Sequence, residues 1–368
     1  MTTATEPEAG PSTLAPVSEH LQEPFQQHII PVENFNDGPM FEVDNIDEKS
    51  DPGFEDGDYR SVTVSLNRTI REYRHINGRS YHNYDGAYYW APNDDTQNDH
   101  LDMVHHMMCL AYDNQLFLAP LKNPQRVLDV GCGTGIWCLD FAEQFPGAQV
   151  IGTDISPIQP RWVSPNCKFE IDNCELEWTF AENEFDYIHI SSLIGSIQDW
   201  PKLYKEILRA LKPGGWFEQR EFALPVRANE GALPEDCVYD EWARILYETG
   251  YLTGCTWRVT EHWKEWLREA GFTEKIHTHQ VKIPIGGWPK DKIQKEIGLF
   301  NRLSIETGLE GAAIYICKMV LGWHDVEIQL FLERMRAVVK NPKIHAYFPL
   351  KSVWTQKPFT WVERQLCV

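Results

Sequence analysis

The stretch VLDVGCGTG, Val127 to Gly135, carries the residue types best suited to cradling a ligand. Glycines 131, 133 and 135 allow backbone angles closed to other residues and put no Cβ between a ligand and the main chain. Three acidic positions follow the turn's logic in chain order: Asp129 just before its first glycine, Asp154 with Ile155 after the next apolar run, and Asp172 with Asn173 after the one following. Two ligands compete for this constellation. A dinucleotide rests its pyrophosphate on a helix N-terminus behind GxGxxG, but here position 136 is Ile and the third glycine, Gly135, comes one residue early. S-adenosylmethionine offers an ammonium to Asp129, a carboxylate to the amides of 131–135, a ribose diol to Asp154, and an adenine amine to Asp172 and Asn173. Each polar group of that cofactor finds a partner, so S-adenosylmethionine is the expected ligand and S-adenosylhomocysteine the expected product.

These residues need a frame. Short apolar runs alternate with longer helical stretches, the signature of parallel βαβ units. Strands are predicted at 126–130, 149–153, 167–171, 185–190 and 216–222, with helices at 136–145 and from Asp199 or Pro201 to Leu211, stopped by Lys212, Pro213 and Gly214. Such a sheet binds ligand beyond the carboxyl ends of its strands, beside the first one, which brings Ser191 and Ser192 to the same edge. Upstream, apolar spacing predicts a helix over 99–118 capped by Asn98 or Asp99. Before it, GRSYHNYDGAYYWAPNDD reads as a structured loop or short helices, with at least one of Tyr81, Tyr84, Tyr88 and Trp90 expected over the cofactor as a lid, Tyr84 first. Downstream, helices are predicted at 239–249, 260–270, 290–298, 312–322 and 325–340, and strands at 273–285 and 345–357. The last hairpin is thus split by a helical insertion at 287–342, expected to act as a lid.

Composition narrows the function classes. The chain has 368 residues, 42% of them apolar, and 14 Trp, 14 Tyr and 17 Phe, enough for a large core and an aromatic pocket. No run of 18 apolar residues exists, so no membrane span is expected, and MTTATEPEAGPS does not read as a signal peptide. The expected location is the cytoplasm. Nine cysteines, an odd number without a CxxC pair, argue against a disulfide framework and against a zinc site. The net charge of −20 and the lack of a basic stripe argue against nucleic acid. Residues 1–60 hold 14 acidic side chains against Lys49 and Arg60, along with seven prolines, so 1–55 is expected to be a disordered tail or a docking arm for a protein partner. The expected division is then a cap at 56–121, a cofactor-binding core at 122–286, the insertion at 287–342, and a final strand with the C-terminus at 343–368.

Beyond the glycine turn, the sequence carries GRSYHNY (78–84), APNDD (91–95), HLDMVHH (100–106), GTDISPIQP (152–160), the run 166–178, FDYIHISSLIGSIQDW (185–200), LKPGGWFEQRE (211–221), and LGWHDVEIQLF through KIHAYFPL. Through these the chain resembles the class I S-adenosylmethionine-dependent methyltransferases and, more narrowly, the LaeA-like methyltransferases of filamentous fungi, over about residues 60–360. The resemblance implies an α/β, Rossmann-like, seven-stranded and mostly parallel sheet with helices on both faces. It also implies contacts of Ser191 near the sulfonium. His100 stands where the resemblance leads to an arginine, and would put a titratable ring at the cofactor carboxylate. The implied activity is methyl transfer to a small molecule of fungal secondary metabolism, to oxygen first and otherwise to nitrogen or carbon. The alternative is a nuclear regulator of secondary metabolism working in a protein complex. Methyl transfer from a sulfonium asks for orientation and desolvation more than for acid–base chemistry, and the sequence accordingly offers only weak candidates for a base: His105, His106 and Glu218, with Glu221 on the same strand.

Overall fold

The computed structural model describes residues 72–359. The acidic tail and its expected partner lie outside the described residues, as does the C-terminal end of the final segment. Among the described residues no helix is long and apolar enough to cross a membrane.

A sheet of eight strands forms the centre, in the order β5-β4-β3-β6-β7-β10-β8, with β9 against β10. Its parallel part comprises β3 (Arg126–Val130), β4 (Gln149–Asp154), β5 (Cys167–Ile171), β6 (Phe185–Ser191) and β7 (Leu211–Phe222). Two short strands, β1 (Arg74–Ile76) and β2 (Arg79–Tyr81), make a separate hairpin. The two-residue β8 (Arg227–Ala228) extends the sheet, and β10 (Ala346–Gln356) runs antiparallel between β7 and β9 (His277–Pro284). Because β4 and β6 lie on opposite sides of β3, the crevice beyond β3 is the topological switch point.

Alternation along the strands builds two cores. Leu128, Ile188 and Ile190 point to one face, packed with Trp200, Tyr204 and Ile207 of α3 (Trp200–Ala210) and Trp263 of α5 (Val259–Ala270). Val127 and Tyr187 point to the other, against Trp137 and Phe141 of α2 (Ile136–Gln144). Burial at about 25 cal/mol per Å² makes either face prohibitive to expose. Register is therefore set by this period of two.

Four elements differ from the sequence-based expectation, each for a physical reason. The aromatic segment is the β1–β2 hairpin followed by a loop, because Asn77 and Gly78 take the left-handed angles of a tight turn. The following helix, α1, is Asp95–Ala111 and not 99–118: Asp94 caps it by accepting from Gln97 N at 3.0 Å while holding Arg79 of the hairpin in a two-point ion pair at 2.6 and 2.8 Å. The helix before Lys212 stops at Ala210, close to the expected end, but Lys212 to Gly215 then lies inside β7 and not in a turn, absorbed by a register shift opposite Phe185 and Tyr187. Finally, the helices expected at 290–298 and 312–322 are one, α6 (Lys292–Ala313), continuing as a π-helical segment Ile314–Val320. Its glycines mark close approach instead of termini. A Cβ on Gly308 would sit 2.6 Å from the His100 ring, and one on Gly311 2.4 Å from Pro92. Two helices, α4 (Val238–Thr253) and α7 (Asp325–Val339), complete the fold.

Candidate functional site

Three cavities meet at the carboxyl ends of β3, β4 and β6. The first, about 90 Å³, is lined by Gly131, Gly133, Asp154, Ile155, Asp172 and Asn173, with Tyr88 and Tyr89 from the loop after the hairpin. The second, also about 90 Å³, continues past the glycine turn to Asp129, His189, Met108 and Arg220. The third is larger, about 210 Å³, and almost wholly apolar, between α1, α4 and α6. Leu101 and Ser192 line all three. Ser192 sits at φ 59°, rare for a residue with a Cβ, and is held there by its amide bond to Arg220 O at 3.0 Å.

The turn itself is locked from several sides. Asp154 accepts from Gly133 N and Ser156 N at 2.9 Å each, Thr134 Oγ1 donates to Asp102 of α1 at 2.6 Å, and Gln159 Nε2 donates to Gly133 O at 2.7 Å. Asn93 bridges Ser80 and Ser156, tying the hairpin to the loop after β4. Burial raises the Asp154 carboxyl to about 6, against the amide bonds that lower it, and burial raises Asp172 as well. Gly135 opens α2 in the left-handed region, and with a Cβ it would strike the Phe169 ring at 2.3 Å.

These residues fit S-adenosylmethionine in its nucleoside half. Asn173 Nδ2 and Ser196 Oγ, both buried in the first cavity, have no partner among the described residues, and ring nitrogens of an adenine would supply acceptors for such donors. Asn173 Oδ1 already accepts from Glu175 N at 3.0 Å, so its free group is the amide NH₂; of the expected pair, only Asp172 suits the exocyclic amine. Asp154 remains suited to a ribose diol.

The other half is built differently from the expectation. The amides of 131–135 are mostly taken: Gly131 N and Cys132 N bond to Thr153 O, Gly133 N to Asp154, and Gly135 N to Cys132 O. Asp129 is buried, with Oδ1 2.8 Å from His189 Nδ1 and Oδ2 accepting from Cys138 Sγ, and the His189 ring stacks on Trp137 at 4.1 Å. Sequence reasoning missed Arg220. It is buried, bonded to Glu218 at 3.0 and 3.2 Å, lies 4.4 Å over the Tyr112 ring, and lines the second cavity, where it is suited to a carboxylate. The available signal was its place two residues after Glu218 on β7, which puts both side chains on one face of the strand.

Of the aromatic lid candidates, Tyr88 lines the first cavity, beside Tyr89, which was not among them; Tyr84 does not line the cofactor cavities and lies near enough to Asp172 for that charge, after burial, to raise its phenol pKa. Ser191 does lie at the junction, lining both cofactor cavities, with its hydroxyl 3.7 Å from Met108 Sδ. Of the expected bases, His105, Glu218 and Glu221 are held by partners, and His106 lines none of the three cavities. His105 sits 2.8 Å from Asp140 and 3.6 Å from Cys109 Sγ; burial pulls its pKa down, but these bonds outweigh it and raise the ring to about 9. His106 lies on the exposed side of α1, edge-on to Phe300 at 4.8 Å. Glu218 is fully buried and accepts from Leu118 N, Ala119 N and Arg220, while Glu221 accepts from Leu193 N, Ile194 N and Gln219. Both glutamates hold backbone. His100, expected at the cofactor carboxylate, lines only the third cavity and bonds to Ser304 of α6.

Residues 103–277 match a family described as a methyltransferase domain. The chain is 36% identical over 304 residues to a protein named methyltransferase pytC of Aspergillus terreus, covering 82% of this chain and 93% of that one. It is 34% identical over 294 residues to the secondary metabolism regulator LAE1 of Cochliobolus heterostrophus, covering 76% and 93%. It is also 32% identical over 304 residues to the protein-methionine methyltransferase laeA of Emericella nidulans, covering 81% and 80%.

Proposed function

The chain belongs to the LaeA-like S-adenosylmethionine-dependent methyltransferases of Rossmann-like fold, and from that premise we propose that it methylates a small molecule of fungal secondary metabolism, on oxygen. One observation carries this reading: the apolar, aromatic-walled cavity of about 210 Å³ that meets the cofactor cleft at Leu101 and Ser192. A cavity of this kind suits a compact apolar acceptor whose reacting atom reaches the junction.

When bound, the cofactor supplies a methyl group on a sulfonium, ready for in-line displacement. Asp154 would hold the ribose diol, Asp172 and Asn173 the base, and Arg220 the carboxylate. Leu101 and Ser192 would exclude water where acceptor and methyl meet, and α1 and α6 would orient the acceptor. The site is built for alignment. The cytoplasm is the compartment proposed together with this reading.

A second reading, a nuclear regulator acting in a protein complex, is favoured by the names of the LAE1 and laeA relatives. The test is to incubate purified protein and methyl-labelled S-adenosylmethionine with a small-molecule extract and, separately, with a protein lysate of the source organism. Label in a defined organic product is the expected outcome; label only in polypeptide, or a tagged protein found strictly in the nucleus, would replace the first reading by the second.

A further inference from the structure

We propose that His100 is the general base that takes a hydroxyl proton from an aromatic acceptor seated in the apolar cavity, an assignment that rests on the small-molecule reading above. The ring's orientation decides its chemistry. His100 Nδ1 lies 2.9 Å from the carbonyl oxygen of Ser304. A carbonyl oxygen only accepts, so Nδ1 carries the hydrogen, and in the neutral ring the lone pair is left on Nε2. The Ser304 hydroxyl, 3.1 Å from the same nitrogen, adds to the anchor. The bare face of Gly308 lets the ring lie against the helix backbone, since a Cβ there would stand 2.6 Å from Nδ1. Burial, aided by the charge of Arg79 and opposed by the Ser304 bond, lowers the ring's pKa, so the neutral form is the one present near pH 7.

A second acceptor sits one turn earlier on the same helix face. Gln97 is 3% exposed, lines the cavity, and its Oε1 has no partner among the described residues. Residues three apart on a helix are surface neighbours, so Gln97 Oε1 and His100 Nε2 would offer a pair of acceptors in a lining whose other polar side chains include Asn301 and Ser304. The same cavity is lined by Trp90, tilted against Trp257 at 5.2 Å, and by Trp242 and Tyr239, which offer contact area to flat rings. Two acceptors in a cavity lined by several aromatic side chains suit a hydroxyaryl compound, and one with more than one hydroxyl best. In the reaction the acceptor's hydroxyl proton passes to Nε2, an oxygen lone pair forms the new O–CH₃ bond, and the C–S bonding pair stays on sulfur, which leaves as neutral S-adenosylhomocysteine. The imidazolium then returns its proton to water.

The test compares the full-length protein with His100→Gln on two probes, 1-naphthol and 4-nitro-1-naphthol, the second already ionised at a mildly alkaline assay pH. The variant should lose kcat on 1-naphthol by roughly 100-fold or more, with KM and S-adenosylhomocysteine affinity within about twofold, and should keep most of its activity on the nitro compound. Equal loss on both probes, or no loss, overturns the base. A wild type inert toward both, and toward 1,3-dihydroxynaphthalene as well, overturns the hydroxyaryl acceptor. If the extract experiment labels only polypeptide, the underlying reading has failed; if it labels a small molecule equally well with His100→Gln, only this assignment has. Independently of turnover, nitrogen NMR of ¹⁵N-histidine-labelled wild type with S-adenosylhomocysteine should show His100 protonated at Nδ1 and bare at Nε2, and the reverse tautomer would overturn the proposal even if the variant does not fold.

Discussion

The cofactor cleft and the apolar cavity beside it share Leu101 and Ser192 yet are built on opposite plans. The cleft is a strand-end structure, in which Gly131, Gly133, Asp154 and Asp172 fall within one short stretch of chain and are fixed by main-chain bonds. The cavity is assembled from helices distant in sequence, α1, α4 and α6, and is held by close packing at Gly308 and Gly311. The side chains that would hold a ligand common to a whole family are pinned close together by main-chain bonds, whereas an acceptor peculiar to one enzyme is met by side chains on elements free to diverge. This division predicts which changes stay on one side of the junction.

The largest effect should come from Asp154→Ala. Losing a carboxylate that would hold two ribose hydroxyls forfeits charge-assisted hydrogen bonds worth about 1.5–3 kcal/mol each, so calorimetry with S-adenosylhomocysteine should show affinity down by roughly 100-fold or more. Normal affinity would remove the ribose assignment. Asp154→Asn removes the charge while keeping one of the two bonds from Gly133 N and Ser156 N, so it unpins less than the alanine variant.

Gly195→Ala is expected to break the division. Gly195 lies at φ 72°, and an added Cβ would stand 2.3 Å from the Trp257 ring, which is itself packed on Trp90. Left-handed strain and overpacking together cost roughly 2–5 kcal/mol, read as a fall in Tm. Because this loop also carries Ser196 of the cofactor cleft, both cofactor and acceptor affinity should drop; loss of only one would mean that the two regions are mechanically independent.

The smallest effect is a pH slope. Asp154 is raised to about 6 by burial and would accept from the ribose only as a carboxylate. Cofactor affinity should therefore be full above pH 6 and fall below it, approaching about tenfold per pH unit. Asp154→Asn should flatten that slope, and a slope surviving in the variant would assign it to another group.

The same division explains what the sequence could disclose. Strands 126–130 and 167–171 appear where they were expected, because period-two patterning and glycine turns are local signals. The single long helix α6 was hidden, since Gly308 and Gly311 resemble breaks until the hairpin and α1 that touch them are in place. The expected bases failed for a similar reason. Glu218 is consumed by Leu118 N and Ala119 N, about a hundred residues earlier, and His105 by Asp140 on another helix. No spacing rule announces such partners.

The wedge position of β10 has a consequence for how the chain is made. This strand pairs with β7 along Leu350–Gln356 and with β9 along Tyr347–Trp354, so during synthesis both of its neighbours leave the ribosome well before it does. Until residues 346–356 emerge, the growing sheet presents β7 as an open edge with β9 waiting for a partner, the arrangement most inviting to a foreign strand. The nascent protein thus carries its greatest risk of mispairing late in translation, and a ribosome stalled just short of this strand would display a nearly complete cofactor cleft on a sheet still able to recruit its neighbours.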